Sequence, residues 1–145
     1  MIDVTPFPAP RSTKGPARAL VVEDDPAISE LLALVLKYEG WQVSVAHTGA
    51  AAITEASASR PDAVLLDVAL PDMDGFEVLR RLRADARELP VIFVTACDSA
   101  ADRAAGRAAG CNGYLAKPFA LDELIALLRL VADDPSNSGP PAESV

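Results

Sequence analysis

Five polar residues in this sequence have the side-chain types that would hold a metal ion and a phosphate group if they met in one place. Three are carboxylates, one is a hydroxyl and one is an ammonium, namely Glu23, Asp24, Asp67, Thr95 and Lys117. Carboxylates packed together repel one another strongly unless a cation neutralises them. Mg2+ suits such a set, because it takes oxygen ligands, keeps several waters and is completed by a phosphate. Lys117 would then offer a positive charge to a phosphate oxygen, and Thr95 a hydrogen bond.

Each of these residues lies at or just after the end of a short apolar run, the pattern of a buried parallel strand. We expect strands at 19–23, 42–46, 63–66, 91–95 and 113–116, and helices at 26–39, 50–59, 75–83, 99–109 and 121–131. Strands that alternate with helices predict an α/β fold with a parallel sheet covered on both faces. In such sheets ligands bind beyond the carboxyl ends of the strands, where the strand order reverses. The five polar residues therefore converge on one crevice.

The helical segments differ in how much apolar surface they offer to the sheet. The apolar residues expected to face inward are Ile28, Leu31, Leu32 and Val35 in the first helix, Phe76, Leu79 and Leu82 in the third, and Leu121, Leu124, Ile125 and Leu128 in the fifth. The fourth helix instead carries Ala100, Ala101, Ala104, Ala105 and Ala108. Each alanine buries little area, so we expect tertiary packing to hold this helix weakly.

The bulk composition limits the class of protein. With 145 residues, of which 50% are hydrophobic, the chain is long enough for one domain with a sizeable core. We expect a flexible leader at 1–17, the folded domain at 18–132 and a flexible tail or linker at 133–145. A net charge of -8 argues against nucleic-acid binding by this chain itself. No apolar run is long enough for a membrane span, and we expect a cytoplasmic protein.

Four segments of the chain resemble the receiver domains of two-component response regulators. They are Leu-Val-Val-Glu-Asp-Asp at 20–25, Leu-Leu-Asp-Val-Ala-Leu-Pro-Asp-Met-Asp-Gly at 65–75, Val-Thr-Ala at 94–96 and Gly-Tyr-Leu-Ala-Lys-Pro-Phe at 113–119. The segments occur in the family's order and cover roughly residues 18–132. The resemblance implies a flavodoxin-like, doubly wound sheet of five parallel strands in the order 2-1-3-4-5, with five helices.

The resemblance also implies roles for the acidic residues. Asp67 is similar to the family's phosphoacceptor, which takes its phosphoryl group from a sensor histidine kinase. Asp24 and Asp67 would bind Mg2+ directly, Glu23 would reach it through water, and the backbone carbonyl of Ala69 would complete the protein ligands. An aspartyl phosphate is an accepted covalent intermediate in phosphoryl transfer.

The remaining implied roles concern the phosphoryl oxygens and a conformational switch. Thr95, the backbone N–H of Ala96 and Lys117 would hold the phosphoryl oxygens, with a cis bond between Lys117 and Pro118. On phosphorylation Thr95 would turn toward the phosphate, and the ring of Tyr114 would move from an exposed to a buried position. The protein would be no enzyme beyond catalysing its own phosphorylation and dephosphorylation.

The output and the oligomeric state are open at this point. The chain is similar to the subfamily with a winged-helix DNA-binding output domain, which lies outside these residues. That subfamily usually has acids and an arginine where this chain has Asn112, Gly113 and Leu127, so the usual charge-paired dimer is in doubt. We expect a monomer or a weak dimer, with Leu127 either on the outer face of the last helix or inward.

Three other functions compete with a phosphorylated receiver that controls an output domain. One is a stand-alone receiver that acts by protein–protein interaction. Another is a phosphorylation-independent pseudo-receiver, against which the intact Asp24, Asp67, Thr95 and Lys117 argue. The last is a phosphatase of the haloacid-dehalogenase type, which would need an acid at the position of Ala69.

Overall fold

The computed structural model describes residues 17–132 apart from residue 87, so the predicted leader (except residue 17) and tail lie outside the described residues. The strands are β1 (Arg18–Val22), β2 (Gln42–Ala46), β3 (Ala63–Leu66), β4 (Val91–Thr95) and β5 (Gly113–Ala116). The helices are α1 (Pro26–Tyr38), α2 (Gly49–Ser59), α3 (Gly75–Asp85), α4 (Ala100–Ala109) and α5 (Leu121–Ala132). The strands pair in parallel in the order β2-β1-β3-β4-β5. The predicted flavodoxin-like fold is confirmed.

Short polar side chains mark the points at which the helices begin. The carboxylate of Asp25 accepts a hydrogen bond of 2.9 Å from the N–H of Ala27, and Pro26 occupies the first helical position of α1. Ser99 and Asp102 form a reciprocal capping box at the start of α4. These caps satisfy N–H groups that have no partner within the helix. They therefore fix where each helix starts relative to the strand before it.

The sheet separates two apolar layers. One layer contains residues of α1 and α5, including Leu36 and Leu128, and the other contains residues of α2 and α3, including Ala52 and Leu79. Burying a leucine fully stabilises the fold by roughly 1.5–3 kcal/mol relative to leaving it exposed. No helix within the described part of the chain is long and apolar enough to cross a membrane.

Several details differ from the expectations drawn from spacing. Leu31 and Leu121 were expected to face inward, but they are 40% and 48% exposed. Leu31 lies at the edge of the apolar stripe of α1, whose buried residues include Leu32 and Leu36. Leu121 is the first residue of α5, and the first buried residue of this helix is Leu124, one turn later. Strand β1 also starts and ends one residue earlier than expected, so Glu23 follows the strand.

The open question about Leu127 is settled by its burial. Leu127 is 2% exposed and lies in the apolar layer that contains residues of α1 and α5, together with Leu124 and Leu128. Asn112 also serves the fold, since its side-chain oxygen accepts hydrogen bonds from the guanidinium of Arg83 at 2.8 Å and the N–H of Val91 at 2.9 Å. Two of the three residues that replace charges of the subfamily, Leu127 and Asn112, are thus used inside the domain.

Candidate functional site

The three acids predicted to share a site do lie together at the carboxyl edge of the sheet. One carboxylate oxygen from each of Glu23, Asp24 and Asp67 lies within 4.8 Å of the others. Glu23 and Asp67 are buried, at 2% and 5% exposure, whereas Asp24 is exposed. The N–H of Glu23 donates to Ala46 and that of Asp67 to Val22, each at 3.0 Å, which extends the backbone pairing just past the strands. The cluster could bind a metal ion through oxygen ligands.

Lys117 bridges the two buried acids of this cluster. Its Nζ donates to Glu23 Oε1 at 2.6 Å and to Asp67 Oδ2 at 2.9 Å. Burial alone would lower the pKa of Lys117, but the hydrogen bonds to Glu23 and Asp67 outweigh burial and raise its pKa above the ordinary value. The ammonium is therefore held in its charged form, next to the acid that carries the predicted phosphoacceptor oxygen.

The position of Glu23 makes ionisation of its carboxyl group unfavourable. Burial raises the pKa of Glu23, the negative charge of Asp67 adds to the increase, and hydrogen bonds from Lys117 and the N–H of Asp25 oppose it. One ammonium thus does not fully offset the cost of burying this carboxylate beside another. A divalent cation at the same place would favour its charged form.

Thr95 ends β4 at the same edge of the sheet and is completely buried. Its Oγ1 accepts a hydrogen bond of 3.2 Å from the N–H of Cys97, and its carbonyl accepts one of 2.9 Å from the N–H of Lys117. The bond between Lys117 and Pro118 is cis, as the resemblance implied. Ala96 follows Thr95 and is exposed. The structure thus brings the carboxyl ends of β4 and β5 together.

The loop that follows Asp67 is closed tightly on itself. The N–H of Ala69 donates to Asp67 Oδ1 at 3.1 Å, and the N–H of Gly75 donates to the carbonyl of Val68 at 2.7 Å. A Cβ atom on Gly75 would lie 2.5 Å from the carbonyl oxygen of Asp67, so only glycine fits there without moving the backbone. The N–H of Ala69 is thereby held against the carboxylate of Asp67, a member of the acidic cluster.

Two contacts of this region were missed by the sequence reasoning. His47 is exposed, and its Nδ1 lies 2.9 Å from the carbonyl oxygen of Glu23. The carboxylate of Asp72 accepts hydrogen bonds from the N–H groups of Gly49 and Ala50 at 2.7 and 2.9 Å. These hydrogen bonds lower the pKa of Asp72. Neither contact has a local sequence signal, because more than 20 residues separate the partners.

Tyr114 lies beside this edge, on β5, and is half-buried. Its hydroxyl donates to the carbonyl of Cys97, and its ring packs against Phe93 with 5.7 Å between centroids. The guanidinium carbon of Arg103 lies 5.0 Å from the ring centroid, and a Cβ on Gly106 would approach the ring to 3.1 Å. Burial raises the pKa of Tyr114 to about 12. Tyr114 thus links β5 to α4 and to the segment after Thr95.

A doubly wound sheet in the order 2-1-3-4-5, with clustered acids and a bridging lysine at its carboxyl edge, defines the class of receiver domains. The family model described as the response regulator receiver domain matches residues 19–129, and the chain belongs to this family. It is therefore a signalling domain of two-component systems.

Relatives with curated names are similar over most of this chain. The transcriptional regulatory protein TrcR of Mycobacterium tuberculosis is 46% identical over 119 residues, which cover 82% of this chain and 46% of TrcR. The response regulator MprA of Mycobacterium avium is 47% identical over 112 residues, which cover 77% of this chain and 49% of MprA. The chain thus spans about half the length of these relatives.

Solved structures share the fold. The chemotaxis protein CheY4 of Vibrio cholerae is 30% identical with a TM-score of 0.76, and the alignment covers 81% of this chain and 99% of CheY4. The BeF3-activated receiver domain of RstA from Klebsiella pneumoniae is 32% identical with a TM-score of 0.75, covering 80% of this chain and 99% of that one.

Proposed function

We propose that Asp67 accepts a phosphoryl group from a phosphohistidine of a sensor histidine kinase, and that the domain then changes conformation to control an output domain or a partner. The observation that carries this proposal is the contact of Lys117 with both Glu23 and Asp67 at the carboxyl edge of the sheet. It places a charged ammonium where a phosphoryl oxygen would arrive next to a carboxylate nucleophile.

The transfer needs little covalent chemistry from the protein. An oxygen of Asp67 forms a bond to phosphorus while the phosphorus–nitrogen bond of the phosphohistidine breaks, and the imidazole keeps the electron pair. The side chain of Lys117, the hydroxyl of Thr95 and the N–H of Ala96 hold the phosphoryl oxygens. The contribution of these groups is to position the phosphoryl group and to balance its charge.

The acidic cluster fits Mg2+, because its donors are oxygens on adjacent loops that lie within 4.8 Å of one another. Asp24, Asp67 and the carbonyl of Ala69 would bind the ion directly, and Glu23 would bind it through water. When bound, Mg2+ neutralises negative charge on the phosphoryl group and on the acids. The exposure of Asp24 leaves one side of the cluster open to solvent.

The conformational response involves Thr95 and Tyr114. In this structure the hydroxyl of Thr95 accepts a hydrogen bond from Cys97, and the hydroxyl of Tyr114 donates to the carbonyl of the same residue. Turning Thr95 toward a phosphoryl group removes its bond to Cys97 and so alters the segment that also anchors Tyr114. The change then reaches α4, against which the Tyr114 ring packs.

The output is proposed from the relatives, whose names describe transcriptional regulation and response regulation. A winged-helix DNA-binding domain beyond the present residues would carry that output. We propose a monomer or a weak dimer, because Leu127 and Asn112 are used inside the domain and supply no charge to an interface. A cytoplasmic location fits this role.

Phosphorylation by a small-molecule donor such as acetyl phosphate, followed by intact-mass measurement, tests the acceptor. With Mg2+ we expect a phosphoryl adduct on the wild-type protein and on Asp25→Asn, a control at the same edge in which asparagine still caps α1. Asp67→Asn should show no adduct. An undiminished adduct on Asp67→Asn would overturn the assignment.

A further inference from the structure

The start of α2 contacts both loops that carry the acidic residues. On one side, Nδ1 of His47 lies 2.9 Å from the carbonyl oxygen of Glu23, and the ring nitrogen must donate because a carbonyl only accepts. On the other side, the carboxylate of Asp72 accepts from Gly49 at 2.7 Å and from Ala50 at 2.9 Å. The start of α2 is therefore fastened to the loop after β1 and to the loop after β3.

The contact made by Asp72 is supported by the residue that follows it. A Cβ on Gly49 would lie 2.5 Å from Cγ and 2.9 Å from Sδ of Met73, so this side chain is packed directly against the first residue of α2. The first N–H groups of a helix have no partner inside the helix, and they form the positive end of its dipole. A carboxylate that accepts two of them docks the loop onto α2 at a defined place.

The docked loop is short and closed at its base. The N–H of Gly75 donates to the carbonyl of Val68, and the N–H of Ala69 donates to the carboxylate of Asp67. Asp72 lies between these two closing contacts, on the exposed side of the loop. Releasing Asp72 from α2 would remove both hydrogen bonds between the loop and α2 and leave only the packing of Met73 and the contacts at the base of the loop. The carbonyl of Ala69 could then shift relative to the loop after β1.

We propose that Asp72 is a positioning residue, which holds the loop after β3 against α2 and so sets the separation between the Asp67 and Ala69 ligands and those of the loop after β1. This inference rests on the proposed function, in which the two loops together hold Mg2+. Asp72 touches neither the ion nor the phosphoryl group. It acts through the backbone that presents Ala69.

Three variants separate positioning from a general loss of helix stability. Asp72→Ala removes both hydrogen bonds to α2, and Asp72→Asn keeps one acceptor oxygen. Thr48→Ala is the matched control, because the hydroxyl of Thr48 caps the same helix by accepting from Ala51 at 3.0 Å but has no part in docking the loop. Both positions are accessible to solvent, Asp72 exposed and Thr48 half-buried, so the fold should survive.

Calorimetric titration with Mg2+ gives the first measurement. Losing a residue that orients metal ligands from outside typically weakens metal binding by about tenfold or more. We expect Asp72→Ala to raise the Mg2+ dissociation constant by about tenfold, Asp72→Asn to raise it less, and Thr48→Ala to leave it unchanged. Phosphorylation of Asp72→Ala should be slow at limiting Mg2+ and should recover when Mg2+ is saturating.

Amide hydrogen exchange gives a second measurement that needs neither Mg2+ nor phosphate. The N–H groups of Gly49 and Ala50 should exchange faster in Asp72→Ala than in the wild-type protein. Exchange at Ala51 should respond to Thr48→Ala instead. Unchanged exchange at Gly49 and Ala50 in Asp72→Ala would show that the docking contact does not hold the loop, and would overturn the inference.

The remaining outcomes distinguish this inference from the function on which it rests. If the wild-type protein is phosphorylated and Asp72→Ala binds Mg2+ equally well, only the positioning role is wrong. If Thr48→Ala weakens Mg2+ binding as much as Asp72→Ala, helix stability and not docking is responsible, and the positioning role is again wrong. A wild-type protein that neither binds Mg2+ nor takes up phosphate would overturn the proposed function, and the inference with it.

Discussion

The acidic edge of the sheet and helix α4 are held in different ways, and two glycines show the difference. A Cβ on Gly75 would meet backbone atoms, the carbonyl oxygen of Asp67 at 2.5 Å and the Cα of Val68 at 2.8 Å. A Cβ on Gly106 in α4 would meet side-chain atoms, with the ring of Tyr114 at 3.1 Å. Backbone in a closed loop cannot move away, whereas a ring can. An added methyl group would therefore have to displace backbone at the acidic edge, but only side-chain atoms beside α4.

Burial shows the same contrast. Glu23, Asp67 and Thr95 are all buried at the acidic edge, whereas Gly106 is the one buried residue of α4. Segments with few buried apolar contacts are the ones that open or shift at low free energy. The low burial of α4 agrees with the weak packing predicted for this alanine-rich helix. The proposed phosphorylation site and the helix proposed to respond to it thus differ in burial.

The largest expected effect comes from removing the cation at the rigid edge. Lys117→Met leaves Glu23 and Asp67 as buried carboxylates without a neighbouring cation, which costs roughly 3–5 kcal/mol of unfolding free energy. Urea denaturation without Mg2+ measures this loss. Mg2+ at millimolar concentration should restore part of it, because a ligand that binds only the folded state stabilises it by mass action. A variant as stable as the wild-type protein without Mg2+ would contradict this description of the site.

The next largest effect on stability is expected when Gly75 and Gly106 are each replaced by alanine. Gly75→Ala forces the closed loop apart, and overpacking of this kind costs about 1–3 kcal/mol. Gly106→Ala gains about 1 kcal/mol of helix propensity, which the displacement of the Tyr114 ring offsets. Denaturation should therefore show a clear loss for Gly75→Ala and little change for Gly106→Ala.

Removing the aromatic ring beside Gly106 supplies the control for that pair. In a Tyr114→Ala background, Gly106→Ala should become stabilising by up to about 1 kcal/mol, since only the contact of the added Cβ with Cys111 Sγ, at 3.3 Å, still opposes the gain in helix propensity. Gly75→Ala should cost the same in either background. If Gly106→Ala destabilised the protein equally with and without the ring, the assumption that the Tyr114 ring moves aside would be wrong.

The smallest effect concerns the ionisation of Tyr114. Burial raises its pKa from the ordinary 10.0 to about 12, so its contribution to stability is complete below pH 10 and is lost as the pH rises toward 12. Absorbance of the tyrosinate measures the midpoint in Tyr38→Phe, which leaves Tyr114 as the single tyrosine. A midpoint near 10 would show that the ring is not held against α4.

Much of the fold and the core of the site could be predicted from the sequence, because both depend on local patterns. Apolar runs gave β2 to β5 their bounds, and polar residues at the ends of β1, β3, β4 and β5 marked the acidic edge. What could not be predicted depends on contacts between distant segments. No local pattern connects Asp72 with α2 or His47 with Glu23. The exposure of Leu31 likewise depends on which residues of other elements pack against α1.

We propose above that the carboxylate of Asp67 carries the phosphoryl group. Borohydride reduces an acyl phosphate to an alcohol, so phosphorylated protein treated with it and then digested should contain homoserine at position 67. We expect this product in the wild-type protein with Mg2+ and its absence when the phosphate donor is omitted. Homoserine at position 24 or at another aspartate, or 5-hydroxynorvaline at a glutamate, with position 67 unmodified, would contradict the assignment of Asp67.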